Sequence, residues 1–532
     1  MQQIDTIIIG SGAGGLAAAI LLSRAGQKVL VLEQHYIPGG WCHSFKLHGS
    51  KFTPGVHYIG LMQENESSSN LYRGLGIAND LTFFKMNPQA YEHCHIGDER
   101  FDIPANFDEF LSAMIEKFPH EEKGLRRYFQ TIRDVSRQLQ LIPKMNSFWD
   151  KITIPWRTRH MGKYGLFSLK RVIGWHIKDP LAKAILNIQC GDHGTSPASA
   201  SFPFHCAVME HYFSGGYYPK GGGGAIVSAM IKAIKNHGGE VRTKAMVTKI
   251  LLDVGDSKKA VGVELKNGEK IYASRIISNA DPQKTYLDLI GRENLSLKLC
   301  NKLDITKYSC TSLILFLTID MDVKEAGLDS GNIWVLPDSN MDELHEEMMS
   351  EDITSGDYFK GLFISCTTLK DPSSFDGKNH VLEVVTFIDY KAFEDFKDET
   401  SKRSEVYLKL KSSLMQKMIN SLDRVIPNVK EHIVHKDLAT PLTNEHFINS
   451  TRGSVYGTNK ILNQIGPNAY RANSEIENLY LCGASILAHG VTGATFSGVH
   501  TASIILGCQQ DELIVPDENQ HLTIIDAESY TN

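Results

Sequence analysis

Several features that would place a chain in a special class are missing here. The nine cysteines are scattered, odd in number and without a CxxC pair. Neither a disulfide framework nor a zinc site is expected, and the thiols fit a reduced, cytoplasmic chain. No run of about 18 apolar residues appears, which argues against a transmembrane helix. The start, MQQIDTIIIG, has no basic leader, and its apolar run is too short for a signal peptide. There is no internal repeat, no low-complexity tract, and no GxSxG or HExxH motif. From Gln509 to Asn532 there is no Lys or Arg, while Asp511, Glu512, Asp517, Glu518, Asp526 and Glu528 account for the whole net charge of −6. The rest of the chain is formally neutral, so nucleic acid is not expected as a partner. What remains is a 532-residue chain, 42% hydrophobic and 22% charged, with the core of an ordinary globular protein and the length of two or three lobes.

Residues 4–9 (IDTIII) read as a buried strand, GSGAGG as a turn, LAAAILLSRAG as a helix ending at Gly26, and KVLVLE as a second strand. This is a βαβ unit with short joints, the beginning of an α/β doubly wound sheet. Helix patterns dominate from about 80 to 214. Strand signals return at 240–280, with VGVEL and EKIYA joined by an Asn267-Gly268 hairpin turn. SLILFLTI and HVLEVVTFI read as sheet, and NLYLCGA as a short strand running into glycine, followed by a closing helix. The tail after 509 reads either as a disordered acidic segment or, through its apolar LIV and LTII patches, as a docked one.

Gly10, Gly12 and Gly15 form GxGxxG between a strand and a helix. Gly10 allows the tight turn, Gly12 lets backbone approach a pyrophosphate, and Gly15 allows close helix–strand packing, with the helix N-terminus facing the phosphates. Glu33 ends the second strand, where a carboxylate can accept both hydroxyls of an adenosine ribose and would repel the 2′-phosphate of NADP. FAD and NAD both fit. Two features favour FAD: the Pro38-Gly39-Gly40 turn just beyond Glu33, and the second strand–glycine–helix near the C-terminus. That strand is expected to lie beside the first one, with Gly483 and Ala484 near the pyrophosphate and ribitol. A helix beginning near Val491 and Thr492 would turn its positive end to a flavin ring.

The blocks EQHYIPGGWCHSF, KFTPGVHYIGLM, GDHGTSPASASF, HYFSGGYYPKGG, RIISNADP, ATPLTN with RGSVYG, and LYLCGASILAHGVTGATFSG together resemble the retinol saturases, within the phytoene desaturase and carotenoid isomerase superfamily of FAD proteins. Trp41 stands where the saturases usually have a cysteine. The resemblance spans nearly the whole chain to about residue 508. It implies a discontinuous Rossmann-like FAD domain of the GR2 type (1–80, 215–290, 475–508), a mixed α+β substrate domain (81–214, 291–474) and an acidic tail (509–532). The implied cofactor set is Gly10, Gly12, Ala13, Gly14, Gly15, Glu33, Gln34, Gly39, Gly40, Gly483, Ala484, Val491 and Thr492, with the backbone of Val247 at the adenine edge. It implies FAD-dependent reduction of a C=C bond in a retinoid or carotenoid, or else desaturation or cis–trans isomerisation. A lipophilic substrate and an external donor or acceptor (NAD(P)H, a quinone or oxygen) follow. A different class, the prenyl-lipid chaperones of related fold, is disfavoured by the intact fingerprint. Amine oxidases resemble the chain at its N-terminus only.

No catalytic acid or base is assigned. His57 and Tyr58, in the block that resembles the family's flavin-facing loop, are proton-donor candidates, against a simple packed aromatic loop; His489 stands similarly beside the last helix. His93-Cys94-His95 reads as a strand, with no metal assigned. Residues 145–180 hold Trp149, Trp156 and Trp175, and seven bases against Asp150 and Asp179. That mixture suits a peripheral membrane contact or a solvated helical lid, and both readings stand.

Overall fold

The computed structural model describes residues 4–141, 153, 156–255, 258–397 and 403–531. Trp149, Asp150 and Lys151 of the basic aromatic segment lie outside the described residues.

The buried run Thr6–Ile9 and the wholly apolar, buried Val29–Leu32 suit strands covered on both faces, and strands Ile4–Ile9 and Val29–Leu32 pair in parallel. Lys270–Ser278 pairs in parallel with the other edge of Ile4–Ile9, and Glu240–Arg242 with Val29–Leu32. Val247–Val254 and Lys258–Leu265 extend the sheet antiparallel, with the expected hairpin at Asn267-Gly268 leading into Lys270–Ser278. The C-terminal strand Leu479–Leu481 does return to this sheet, but beside Lys270–Ser278, not beside the first strand. Both edges of Ile4–Ile9 are already taken, so the nearest open parallel edge is one strand further out.

A second seven-stranded sheet runs Ile433–Ala439, Thr311–Ile319, His380–Ile388, Leu362–Cys366, Asn332–Leu336, Glu92–Ile96, Glu99–Ile103. It is antiparallel except between Asn332–Leu336 and Glu92–Ile96. YEHCHI is thus a strand, as its alternation suggests, and with its hairpin partner Glu99–Ile103 it is drawn from a part of the sequence far from the other five strands. The α/β architecture expected from the sequence is present, with each sheet assembled from distant segments.

The two helices that matter most for the site are Ala13–Arg24 and Gly490–Leu506. They pack so closely that a Cβ on Gly498 would collide with the carbonyl of Gly14. The acidic tail docks. Thr523–Asp526 adds in parallel to Thr82–Lys85, Arg24 bonds the Leu513 carbonyl, Arg73 the Gln520 carbonyl, and Glu528 accepts from the Ser330 amide. The tail's apolar residues thereby gain a strand partner, which outweighs its charge.

Candidate functional site

The glycine loop is held from beneath by one carboxylate. Gly10 has φ +92°, a left-handed conformation that its place between strand and turn requires. Glu33 is buried; its Oε2 accepts from the Ser11 amide (2.9 Å) and the Ser11 hydroxyl (2.6 Å), and its Oε1 accepts from the His35 amide (2.8 Å). The Ser11 hydroxyl in turn accepts from the Gly39 amide at 2.9 Å. The carboxylate therefore joins the glycine loop to the Pro38-Gly39-Gly40 turn. A Cβ on Gly40 would stand 3.4 Å from Gly12 Cα, so the two turns are in backbone contact. Gln34 is half-buried between them.

Helix Ala13–Arg24 begins at Gly12 without a side-chain cap. Among the described residues no acceptor meets the amides of Ala13, Gly14 and Gly15, all buried. Unsatisfied first-turn amides at a helix's positive end suit an anion. Gly12 itself is constrained by protein as well as by any ligand, since a Cβ there would lie 2.6 Å from Asn279 Nδ2. Asn279, at the end of Lys270–Ser278, also faces Gly14 and Gly483: a Cβ on Gly14 would lie 2.9 Å from its Oδ1 and 3.0 Å from the Gly483 amide. Gly483 thus reaches the glycine loop even though its strand is one position away. Ala484, Val491 and Thr492 are half-buried around the start of the last helix, which likewise has no side-chain cap. Val247 opens its strand opposite Leu265, two residues after Ala245, whose amide donates to the Glu33 carbonyl.

Two of the three proton-donor candidates, Tyr58 and His489, reach the turn Ile188–His193, while His57 faces Glu383. Tyr58 donates to Asp192 Oδ2 at 2.7 Å and stacks on Tyr212 at 4.2 Å. His57 Nδ1 stands 3.3 Å from Glu383 Oε2 and its ring meets Phe363 at 5.1 Å. His489 lies 4.6 Å from Tyr456, 4.9 Å from Phe204 and 6.3 Å from His193, measured between rings. Burial, with Lys460 nearby, pushes His489 down to about 3, so it is neutral. Burial also pushes His205 down to about 4, and His193 Nε2 lies 3.1 Å from its Nδ1.

The sequence reading missed the groups behind these. Glu92 is fully buried, pushed up to about 8 by burial and by Asp192. Asp192 is pushed up to about 7 by burial, partly offset by the Tyr58 hydroxyl. Lys370 is fully buried and bonds Asn332 Oδ1, Ser365 Oγ (2.7 Å) and the His57 carbonyl (2.9 Å). Burial lowers it to about 7 against the pull of Glu92 and Glu383. One signal for Glu92 was present: in YEHCHI it shares the inward phase with Cys94 and Ile96. His93, on the outward phase, forms ion pairs with Asp102 (2.7 Å) and Asp329 (3.0 Å).

A cleft enclosing about 70 Å³, or about 570 Å³ with the open solvent at its mouth, runs along the second sheet; Cys190 and Gly191, which precede Asp192 in the chain, line it and Asp192 itself does not. Gly191 and Gly194 line it on one side, and Trp334, Leu336, Phe363 and Phe387 on the other. No Asp, Glu, Lys or Arg is among its lining residues. The exposed aromatic surface lies elsewhere: Trp156 is 87% and Trp175 47% exposed, with Arg157, Arg159, Lys163 and Arg171 exposed around them. Among the described residues no helix is long and apolar enough to cross a membrane.

A carboxylate-braced glycine loop, two uncapped helix N-termini and an apolar cleft beside buried acids describe a nucleotide-cofactor oxidoreductase. The model of the flavin containing amine oxidoreductases matches residues 13–506, and the chain belongs to that family. It is a flavin-dependent oxidoreductase. The chain is 30% identical over 528 residues to an all-trans-retinol 13,14-reductase of Danio rerio, covering 95% of this chain and 86% of the relative. It is 27% identical over 526 residues to prolycopene isomerase 1 of an Oncidium hybrid cultivar, covering 96% and 85%. In fold it is similar to a putrescine oxidase bound to putrescine, with a TM-score of 0.61, 17% identity and coverage of 95% and 99%. The resemblance to the saturases and isomerases is thus present along the chain. The likeness to amine oxidases does not stop at the N-terminus, as the sequence reading had it: it continues through the C-terminal block. That block belongs to the same sheet and packs its helix on the first one, so the two ends are constrained together.

Proposed function

We propose that the protein is an FAD-dependent oxidoreductase that saturates a C=C bond of a lipophilic polyene, a retinoid or carotenoid. The observation that carries this reading is the cleft lined without any Asp, Glu, Lys or Arg, next to the turn that carries Asp192, in a chain similar along its length to a retinol reductase. An ammonium substrate such as a polyamine would need a counter-charge once out of water, and the cleft's lining offers no Asp or Glu. Polyene desaturation and isomerisation use the same parts and remain the alternatives within this reading.

The residues fit FAD. The amides of Ala13, Gly14 and Gly15 would hold the diphosphate, with Gly10, Gly12, Gly39 and Gly40 giving backbone room. Glu33, beside Gln34, keeps one acceptor site on Oε1 for a ribose hydroxyl while bracing the loop, and the backbone of Val247 would border the adenine. Gly483, Ala484, Val491 and Thr492 would border the ring end. When bound, reduced flavin supplies a hydrogen with its two electrons. The chain's own part is to hold the double bond in a dry cleft and to place a proton donor beside it. We assign 1–80, 215–290 and 475–508 to the cofactor domain and 81–214 and 291–474 to the substrate domain. The tail 509–532 serves as a strap on Thr82–Lys85. An external donor (NAD(P)H or the reduced form of a quinone) re-reduces the flavin. The exposed Trp156, Trp175 and their basic neighbours form a peripheral contact with an anionic bilayer, through which a lipid substrate enters. A prenyl-lipid chaperone needs no free helix-end amides over a buried acid, which weighs against that reading.

The test is direct. The purified protein should carry a flavin that releases as FAD on denaturation, and chromatography should find a dihydro product after the reduced protein meets retinol or carotenes. A protein free of flavin, or one that only transfers prenylated proteins, overturns the proposal.

A further inference from the structure

We propose that Asp192 donates the proton that completes saturation, recharged through Tyr58 from Glu92. This rests on the polyene-reductase reading above and deepens it. Asp192 sits on the Ile188–His193 turn between Gly191 and Gly194, which both line the apolar cleft. It keeps part of its surface accessible, whereas Tyr58 and Glu92 behind it are buried. From the turn that borders the cleft the polar groups run Asp192, Tyr58, Glu92.

Tyr58 already donates to Asp192 Oδ2 at 2.7 Å. Glu92 lies beside the same hydroxyl, and its Oε2 has no full hydrogen-bond partner although it is wholly buried. An unsatisfied buried carboxyl oxygen is costly as a carboxylate and much less so as a proton carrier. Behind Glu92, Asn332 links it to Lys370: the amide donates to Glu92 Oε1 at 3.4 Å, and the Lys370 ammonium donates to Asn332 Oδ1. A carboxylate formed at Glu92 would therefore meet a cation through one side chain. The groups facing Asp192 are Tyr58, Glu92, Tyr91, Tyr212, Tyr456 and Cys190. None of them is a cation; the bond from the Tyr58 hydroxyl favours the Asp192 carboxylate, and burial outweighs it. Lys370, and His57 with Glu383, stand one layer further back.

The step balances as follows. The π bond of the substrate opens. One carbon gains a hydrogen with two electrons from the reduced flavin, which is thereby oxidised. The other carbon forms a C–H bond as the Asp192 O–H bond breaks. Tyr58 then passes its hydroxyl proton to Asp192 and takes the Glu92 proton, leaving a carboxylate beside Lys370. Solvent restores that proton when the cleft empties, and the external donor restores the flavin.

Two measurements test this. In single turnover, Asp192→Asn should keep bound flavin and slow product formation about 10²–10⁴-fold, the usual contribution of a positioned acid. Tyr58→Phe keeps the stack on Tyr212; it should leave the first turnover nearly intact, slow later ones and alter the pH profile. Separately, infrared difference titration of flavin-free protein between about pH 5 and 9 should find a protonated carboxyl that Asp192→Asn removes and Tyr58→Phe shifts. An active wild type whose Asp192→Asn variant matches it in rate and pH profile overturns the inference and leaves the polyene reading intact. Absence of the carboxyl signal overturns it even where Asp192→Asn fails to bind flavin. A wild type that reduces no polyene overturns the underlying reading, and the infrared result still stands or falls alone.

Discussion

Replacing Glu33 with alanine should damage the protein before any flavin is added. Glu33 accepts three hydrogen bonds: two from Ser11, at 2.9 and 2.6 Å, and one from the His35 amide at 2.8 Å. A bond to a charged acceptor contributes about 1.5–3 kcal/mol. The three share one carboxylate and are not additive, so the flavin-free variant should lose about 2–4 kcal/mol. The Ser11 hydroxyl would also lose its acceptor while still receiving from Gly39, which loosens the Pro38-Gly39-Gly40 turn against the glycine loop. Flavin affinity should fall at least tenfold, because loop order and ribose contacts disappear together. Glu33→Gln keeps one acceptor oxygen but faces a donor with its amide, and should lose roughly half as much stability. Urea unfolding of flavin-stripped protein measures the first effect and fluorescence titration the second. If flavin-free Glu33→Ala unfolds at the wild-type midpoint, the bracing argument is wrong.

Gly14→Ala places a methyl 2.8 Å from the Ala494 carbonyl and 3.0 Å from the Gly483 amide; it should cost about 1–3 kcal/mol of overpacking and lower bound flavin, read by thermal melt and absorbance. His93 is half-buried, which lowers it, but Asp102 and Asp329 outweigh that and push it up to about 10. A folded value raised above the ordinary 6.5 contributes stability in full below about pH 6.5 that is lost as pH rises through 10. With Asp102 63% exposed, solvent screening reduces the effect to roughly 1–3 kcal/mol, and melts of His93→Asn should be flatter than wild type across that window. Trp156→Ala with Trp175→Ala should reduce sedimentation with anionic liposomes, while salt weakens wild-type binding without abolishing it; normal binding by the double variant at high salt would count against the membrane contact.

The βαβ start was legible because three signals agree there: buried strand phases, a glycine turn and a terminal acid. The long-range assembly was less so. The place of Leu479–Leu481 depends on which edge of a parallel sheet remains open, and pairing order leaves no local trace. The acid cluster was hidden for a related reason. Asp192, Glu92, Lys370 and Glu383 come from four distant segments, and of these Glu92 and Glu383 break a local pattern by occupying buried strand positions. Tyr58 and His57 stood out because they share one aromatic loop, but the carboxyls that give them a chemical role are visible only in three dimensions. The docked tail shows the same limit. Its charge was plain in the sequence, whereas the exposed edge of Thr82–Lys85 that receives it was not.

The most direct test of the account is an anaerobic single turnover. Photoreduced protein, with no external donor, is mixed with all-trans-retinol or a carotene, and flavin reoxidation is followed beside product analysis. The account predicts that one equivalent of flavin is oxidised for each C=C bond lost, with a blue-shifted polyene product. Reoxidation only by oxygen, or oxidation of a primary amine in place of polyene reduction, would contradict it.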